Sequence, residues 1–404
     1  MLNNKQEKLT TSIEFVNHAS VLIKGDGISI LSDPWFDGDA FHKGWDLLHK
    51  TSDAEADRIL DQITHIWISH EHPDHFSILF FKKFKTKIID RSIKILFQET
   101  KDKRVLSFLK SQSLECQELE FNKQTNLSKL FSVTCIKDGF YDSGLLIQNN
   151  DEKILNLNDC EINTLSRINE VKNICGNVDV LLTQFSFAAW KGGKENKRWR
   201  LKAAEEKLRT IKLQIKHFNP NFVIPFASFI YFSNIENSYL NDAANRPDKI
   251  IEELKETSSE IIVMKPNDNF KGIKENTSIM NAVKFWNEKF DNIDKKQFHH
   301  YDKISLDEIF INFKTYCERI KKKNNLWFIK LVRIICPIPV FKPVIIEISD
   351  LNCNIKFDYI KKEIYQTNEE AQLCMKSESL NFIFKNSFGF DTLTVNGCFE
   401  EKKK

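Results

Sequence analysis

The sequence lacks closely spaced cysteines. Its nine cysteines are scattered with no Cys-x-x-Cys pair. No Cys-x-His pair accompanies a Cys-x-x-His pair either, which excludes a Rieske iron–sulfur cluster. An odd number of dispersed cysteines is typical of reduced thiols in a protein of the cytosol. The sequence therefore predicts a cytoplasmic protein with free thiols.

Long apolar runs and one-sided charge are also absent. The most apolar region, residues 326–348, is interrupted by charged residues and three prolines, so it does not span a bilayer. Residues 1–7 lack the apolar core of a signal peptide. The formal net charge is only +3, so the overall charge points neither to nucleic acid nor to a membrane surface as a partner.

The chain contains 404 residues, which is enough for a full hydrophobic core and favours two or more domains. Strand-like apolar runs recur up to about residue 265. Beyond residue 275 the character changes to helical stretches followed by a compact α+β tail. We therefore predict a first domain over residues 1–275 and a C-terminal accessory α+β region over residues 276–404.

One short segment concentrates metal-binding residue types. Residues 70–75, with the sequence HEHPDH, follow a β-type apolar run. Strand side chains alternate, so His70 and His72 point the same way, and the following loop turns Asp74 and His75 inward. Glu71 then points away from this pair. Because imidazole and carboxylate are common metal ligands, the pattern predicts a metal site.

Two other interpretations of this segment are weaker. The zincin motif needs a second histidine four residues after the first, but Asp74 stands there and Pro73 would break the required helix. A polar loop that holds histidines by chance is the other alternative. Three of the ten histidines lie within six residues, directly after a strand, which disfavours chance.

Further candidates lie elsewhere in the chain. Asp159 ends an apolar strand, where its carboxylate is well placed for a site. His18 lies near the opening strands; a packing or supporting role is favoured, and a ligand role is the alternative. Residues 38–50 contain two glycines and several aromatic residues, which suggests an ordered loop of the kind that often carries recognition.

A basic segment precedes and enters a predicted helix that runs towards Phe218. Its apolar residues recur at helical spacing, so a solvated amphipathic helix with a basic outer face is the favoured interpretation. Alternatively, Lys191, Lys194 and Arg198 around a Gly-Gly loop hold an anionic substrate near the metal.

Taken together, these segments resemble the metallo-β-lactamase fold, and within it the metallo-β-lactamase-like part of the CMP-N-acetylneuraminate hydroxylase family. The resemblance covers about residues 10–265 and implies an α/β fold, an αββα four-layer sandwich. That family's N-terminal Rieske domain is absent here, so hydroxylation would need another electron carrier. The residues that carry the resemblance are Ser32-Asp33-Pro34-Trp35, Ala40-Phe41, Gly44-Trp45, the 68–75 segment, Asp138-Gly139, Lys153-Ile154-Leu155-Asn156, Asp159-Cys160 and Pro225-Phe226-Ala227.

The resemblance implies a ligand set for one or two ions of zinc or iron. Asp74 would also orient the nucleophilic water, and Asp159 would bridge two metals or close one site. Two positions that often hold histidine in this fold are filled differently, one of them by Ala227. The implied ligands are His70, His72, Asp74, His75 and Asp159, with Asp142, Asp138 and Tyr141 as substitutes at the first vacant position.

The function implied by the resemblance is a metal-dependent hydrolase that acts on an anionic small molecule, such as a phosphoester or a nucleotide-sugar. The alternatives are a diiron-type oxygenase with an external reductase and a degenerate, non-catalytic binding protein. The C-terminal tail resembles a sterol-carrier-protein-2-type module, which would offer an apolar ligand pocket or a dimer surface.

Overall fold

The computed structural model describes residues 9–272, 276–338 and 340–402. Residues 1–7, on which the expectation about a signal peptide rests, lie outside the described residues. The strands are β1 (Ser12–Asn17), β2 (Ser20–Gly25), β3 (Ile28–Ser32), β4 (Trp45–Leu47), β5 (His65–Ile68), β6 (Lys94–Gln98), β7 (Cys116–Leu119), β8 (Gln124–Asn126), β9 (Phe131–Asp138), β10 (Asp142–Asn149), β11 (Glu152–Asn156), β12 (Val180–Gln184), β13 (Phe222–Phe226), β14 (Ile230–Phe232), β15 (Glu260–Ile261), β16 (Asn269–Phe270), β17 (Val344–Ile348), β18 (Cys353–Asp358), β19 (Glu363–Thr367), β20 (Leu373–Met375) and β21 (Glu400–Glu401).

Twelve α-helices alternate with these strands in the described residues. Short 3₁₀ turns occur at Ser238–Ala243 and Ile293–Lys295. The helices are α1 (Asp53–Leu60), α2 (Ile78–Lys83), α3 (Lys85–Asp90), α4 (Arg104–Ser111), α5 (Leu165–Cys175), α6 (Lys197–Phe218), α7 (Pro247–Leu254), α8 (Asn276–Asp291), α9 (Leu306–Lys323), α10 (Leu326–Ile335), α11 (Ser377–Lys385) and α12 (Gly389–Asn396).

Two seven-stranded sheets pack face to face. Their strand orders are β16-β1-β2-β3-β5-β6-β7 and β15-β13-β12-β11-β10-β9-β8. Phe15 and Trp67 of the first sheet and Leu155 and Leu181 of the second share one buried core. A separate cluster joins the outer face of the first sheet to α1–α4. Helices lie outside both sheets, which confirms the predicted αββα sandwich.

Apolar patterning explains why strand β5 occupies the middle of the first sheet. Trp67 faces the second sheet, whereas Ile66 and Ile68 face the helical layer. A strand that is covered on both faces needs apolar residues at successive positions, as found here. Helix α1 begins at a reciprocal capping box formed by the side chains of Ser52 and Glu55.

The C-terminal region forms a second core. A five-stranded sheet of order β19-β18-β17-β20-β21 packs against α9 and α11. Ile309 and Phe313 of α9, Ile348 of β17 and Phe384 of α11 are buried in this core. None of the helices in the described residues is long and apolar enough to cross a membrane.

Helix α8 belongs to the core of the sandwich, although the predicted boundary assigns it to the C-terminal region. Trp286 is fully buried, stacks on Phe229 with ring centroids 3.9 Å apart, and donates its indole N–H to the Met264 carbonyl at 2.7 Å. A boundary at residue 275, itself outside the described residues, would divide this core. We therefore place the boundary between Ile293 and Ile304.

The two units meet on the loop at residues 38–50. Asn237 donates its side-chain N–H groups to the Gly44 carbonyl at 2.9 Å and to the Asn396 carbonyl of α12 at 2.7 Å. A Cβ atom added at Gly44 would lie 2.4 Å from Cβ of Asn396, so only glycine permits this approach. His42 of the same loop stacks on Phe382 of α11, with centroids 3.9 Å apart. The loop is therefore clamped between the sandwich and the tail.

Candidate metal centre

The His70–His75 loop leaves β5 at the carboxyl end of the first sheet and turns into the gap between the two sheets. His70 is buried, and its Nε2 atom lies 2.8 Å from Nδ1 of His72. Oδ1 of Asp142, at the start of β10, lies 3.7 Å from the same His70 nitrogen. These three residues present ligand atoms within 4.8 Å of one another. Two imidazoles and one carboxylate therefore converge on one point.

His75 and two carboxylates form an adjacent group. His75 Nε2 lies 3.1 Å from Oδ2 of Asp74 and 3.3 Å from Oδ2 of Asp159, which follows β11. His70, His75 and Asp159 also lie within the spacing of a single ion. Asp159 reaches this position because β11 and β5 end at the same side of the sandwich. The five sequence-predicted ligands are thus brought together.

His18 joins the second group from the turn between β1 and β2. Its Nε2 atom lies 3.5 Å from Oδ2 of Asp74, and His18, Asp74 and His75 satisfy the spacing of a cation site. The His18 carbonyl accepts a hydrogen bond from the Ala227 N–H at 2.8 Å. The imidazole therefore lies beside the loop where related folds often carry a late histidine. The favoured sequence interpretation of His18, a packing or supporting residue, underestimated its proximity to the centre.

The residues fit a metal ion because several of their polar atoms are buried without hydrogen bonds. Both ring nitrogens of His18, Oδ1 of Asp74 and Oδ1 of Asp142 have no hydrogen-bond partner among the described residues. A buried polar group without a partner is costly, so such atoms indicate a missing ligand. A cation beside each group would satisfy one imidazole nitrogen of His18 and the Asp142 carboxylate.

The electrostatics of the centre separate its histidines. Burial lowers the pKa of His70 to about 4, which keeps this imidazole neutral at physiological pH. Burial also lowers the pKa of His72, and the neighbouring His70 adds to this effect. For His75, burial opposes protonation, but Asp74 and Asp159 outweigh it and raise the pKa well above its usual value. The carboxylates thus stabilise a positive charge at the position of His75.

Burial and the neighbouring Asp159 carboxylate raise the pKa of Asp142 to about 6. Asp74 and Asp159 behave differently. Burial alone would raise their pKa values, but His75 holds the pKa of Asp74 well below its usual range and also lowers that of Asp159. Asp74 and Asp159 are therefore ionised, and the charge of Asp159 disfavours ionisation of Asp142. A cation at the centre would reduce this repulsion between the carboxylates.

Asp33 orients two of the histidines, a role that sequence reasoning missed. This buried carboxylate accepts hydrogen bonds from the Ser69 N–H and hydroxyl, both at 2.8 Å. Its Oδ2 atom lies 3.1 Å from Nδ1 of His75, and the Ser69 hydroxyl lies 2.9 Å from Nδ1 of His70. Protons held on both Nδ1 atoms leave the two Nε2 lone pairs free for a metal.

We expect Asp33→Asn to weaken metal binding by about 10–100-fold, since the amide cannot accept from all of these donors at once. Titration of metal-free protein with Zn²⁺ in a calorimeter measures this change. Asp46→Asn is the matched control, because Asp46 is a buried carboxylate that pairs with Lys50. Equal affinities for both variants and the wild type would refute the orienting role of Asp33.

Two further side chains position Asp159 through hydrogen bonds, and the sequence analysis did not identify either of them. The Gln184 side chain donates to Oδ1 of Asp159 at 2.9 Å, and Lys207 of α6 donates to the Gln184 carbonyl oxygen at 2.5 Å. Burial lowers the pKa of Lys207. Nothing in the helical pattern of residues 191–218 distinguishes Lys207 from the other lysines, so only the fold places its ammonium group here.

Of the three residues predicted as substitute ligands, the structure places only Asp142 beside the histidines. Asp142 lies beside His70, as described above. Asp138 instead pairs with Arg167 at 3.0 Å and accepts the Glu161 N–H at 2.6 Å. The Tyr141 side chain is exposed and lines a neighbouring cavity. Asp142 is therefore the substitute that the fold brings to the metal position.

A cavity of about 890 Å³ opens beside His72 and lies between the sandwich and the C-terminal region. Arg104 neutralises two of its carboxylates, Glu71 and Asp102, through ion pairs. The pairing of Glu71 with Arg104 also accords with the prediction that Glu71 is not a ligand. Aromatic side chains from both units line the walls, namely Trp35, Phe41, Phe76, Phe108, Phe382 and Phe388.

The three predicted substrate-binding cations do not line this cavity. Lys194 pairs with Glu400 at 2.5 Å, and Arg198 is exposed in the first turn of α6. Lys191 is half-buried. None of the three is therefore placed beside the metal ligands by a contact within the described residues.

Residues 12–183 match the family profile described as a β-lactamase superfamily domain. The chain is 25% identical over 247 residues to the cytidine monophosphate-N-acetylneuraminic acid hydroxylase of Danio rerio. That alignment covers 57% of this chain and 40% of the relative, so the chain spans less than half of the length of that protein.

Two solved structures show similar architecture at low identity. The metallo hydrolase Igni18 from Ignicoccus hospitalis aligns with a TM-score of 0.47 and 13% identity, covering 66% of this chain and 99% of that one. CmlA, a diiron β-hydroxylase from Streptomyces venezuelae, aligns with a TM-score of 0.46 and 14% identity, covering 66% and 55%.

Proposed function

We propose that this chain, whose residues 12–183 match a β-lactamase superfamily profile, is a metal-dependent hydrolase with two adjacent cation sites. The observation that carries the proposal is the pair of donor groups joined by Asp159. Asp159 would contribute to both groups, since it lies with His70 and His75 within the spacing of one ion. Two ions held by these groups would activate the attacking and the leaving oxygens of an in-line displacement.

The ligand assignment follows from the distances. The first site would take His70, His72 and Asp142, with Asp159 shared. The second site would take His18, Asp74, His75 and the shared Asp159. Each site then has two imidazoles and two carboxylates, a donor set that suits zinc or iron.

The bound ions would polarise the bond under attack and lower the pKa of a nearby water. The protein's own residues supply orientation. Oδ2 of Asp74, which faces His18 and His75, would hold the ion of the second site. Its Oδ1 atom has no hydrogen-bond partner among the described residues and would accept a hydrogen bond from the attacking water. Gln184 and Lys207 hold the other side of the centre by fixing Asp159. Asp74 is therefore our proposed catalytic residue.

The surroundings of the centre fit a substrate with two chemically distinct parts. The aromatic cavity beside His72 suits a base, an aryl group or an acyl chain. The amino group of Lys207, which donates to Gln184 beside Asp159, suits an anionic group such as a phosphate. A phosphoester or a nucleotide-sugar satisfies both requirements.

A second candidate, hydroxylation by iron, is favoured by one specific observation. His70, His72 and Asp142 are two imidazoles and a carboxylate, the donor combination of many non-haem iron oxygenases. The relative in Danio rerio is named a hydroxylase. Such a reaction would also require an external reductase as partner.

Elemental analysis of the purified full-length chain separates the two candidates. We expect about two zinc ions per chain and hydrolysis of bis(4-nitrophenyl) phosphate as a probe, which Asp74→Asn should slow by about 10²–10⁴-fold. Glu71→Gln is the control for metal content, since Glu71 faces Arg104. Bound iron with oxygen consumption, and no zinc-supported hydrolysis, would overturn the hydrolase proposal in favour of the hydroxylase.

A further inference from the structure

Helix α10 is apolar and yet almost uncovered. Its sequence is LWFIKLVRII, and none of its ten residues is buried. Trp327 is 71% exposed, Phe328 58%, Ile334 80% and Ile335 66%. Soluble proteins rarely leave so many large apolar side chains contiguous on one element, so the helix indicates a surface with a partner.

The exposed side chains share one face. Residues of a helix follow each other at 100°, so Trp327, Phe328, Leu331, Ile334 and Ile335 occupy about a third of its circumference. We call this set the α10 face. The opposite side is anchored, because Arg333 donates to Oδ2 of Asp358 on β18 at 2.8 Å. The anchor directs the α10 face away from the protein.

The flanking charge has a single sign. Residues 319–346 contain no aspartate or glutamate, whereas Glu318 and Glu347 lie just outside. The five lysines of this segment are exposed and form no ion pair within the described part of the chain. The basic residues of the segment are Arg319, Lys321, Lys322, Lys323, Lys330, Arg333 and Lys342.

We propose that the α10 face docks on the surface of an anionic lipid bilayer. An apolar face bordered by lysines, with an aromatic residue at its edge, is the pattern of helices that lie in the interfacial plane of a membrane. The charge argues against a second copy of this chain as the occupant, since two such basic segments would repel each other. A bilayer with acidic headgroups instead neutralises them.

The geometry suits lying on the membrane rather than crossing it. A helix of ten residues is about 15 Å long, half of the thickness of the hydrocarbon core. Prolines at 337 and 343 follow the helix and prevent its extension. Lys323, at the end of α9, also lines the cavity beside the metal centre. The basic segment therefore reaches the rim of the cavity, although this proposal does not depend on the reaction.

Co-sedimentation of the full-length protein with vesicles tests the proposal. We expect binding to vesicles of 70% phosphatidylcholine and 30% phosphatidylglycerol that is at least tenfold stronger than to pure phosphatidylcholine, and that weakens in high salt. The double variant Trp327→Glu/Ile334→Glu should lose at least tenfold in binding. Met280→Glu is the matched control, because Met280 of α8 is also exposed and should bind like the wild type.

Three outcomes would overturn the proposal. The first is no sedimentation of the wild type with the anionic vesicles. The second is equal binding by the double variant, with circular dichroism confirming that it is folded. The third is a wild-type dimer in analytical ultracentrifugation that the double variant converts to a monomer without any vesicle binding, which would assign the α10 face to a second copy.

Discussion

Asp159→Asn is expected to reduce metal binding by at least about 100-fold, a larger loss than that from an orienting residue. Asp159 is the carboxylate that both donor groups share, so its loss affects two ions rather than one. The replacement amide keeps the shape of the side chain and can still contact Gln184. The measured change therefore reflects the lost negative charge and ligand strength.

Metal content by mass spectrometry and Zn²⁺ titration measure this effect. Asp138→Asn is the matched control, since Asp138 is a buried aspartate that pairs with Arg167 outside the centre. The wild type should also lose stability in a chelator. An ion present at 1,000 times its dissociation constant contributes about 4 kcal/mol to the folded state. Full metal occupancy in Asp159→Asn would disprove the shared-ligand assignment.

Trp286→Ala is expected to lower the free energy of unfolding of the sandwich by about 3–5 kcal/mol. The indole stacks on Phe229, contacts the edge of Phe15 at a centroid distance of 6.0 Å, and hydrogen-bonds to the Met264 carbonyl. Its removal leaves a large cavity and an unpaired buried carbonyl. Both losses fall in the first core, although Trp286 lies beyond residue 275.

Urea denaturation followed by circular dichroism measures this loss. Trp327→Ala provides a control of the same residue type at an exposed position, and surface substitutions usually stay within about 0.5 kcal/mol. If α8 instead belonged to the C-terminal unit, Trp286→Ala would leave the unfolding transition of the sandwich unchanged. That result would favour the domain boundary at residue 275 that the sequence predicts.

Much of the centre follows from local sequence. His70, His72, Asp74 and His75 lie within six residues after β5, which ends at Ile68. Alternation predicts one direction for His70 and His72 only, and the loop brings in the other two. Asp159 was found because a carboxylate ends an apolar strand. Asp142 was one of three substitutes, and it pairs with Asp138 across the β9–β10 hairpin. Only the long-range pairing of Asp138 with Arg167 leaves Asp142 as the residue beside His70.

The residues that sequence reasoning missed act through long-range contacts. His18 reaches the centre because the turn between β1 and β2 packs on the loop at Ala227, more than two hundred residues later. Lys207 depends on how α6 lies over the second sheet. The position of α8 was misjudged for a similar reason, since a composition change near residue 275 does not reveal which core its Trp286 enters. Such pairings leave no local pattern.

The cavity beside His72 is lined by both units, which implies an order in which its parts fold. Every proposed metal ligand lies between residues 18 and 159, whereas the aromatic wall at Phe382 and Phe388 comes from the end of the chain. Domains generally fold from the N-terminus during synthesis. An N-terminal unit that folds first would therefore present its metal ligands before the C-terminal region completes the wall of the cavity.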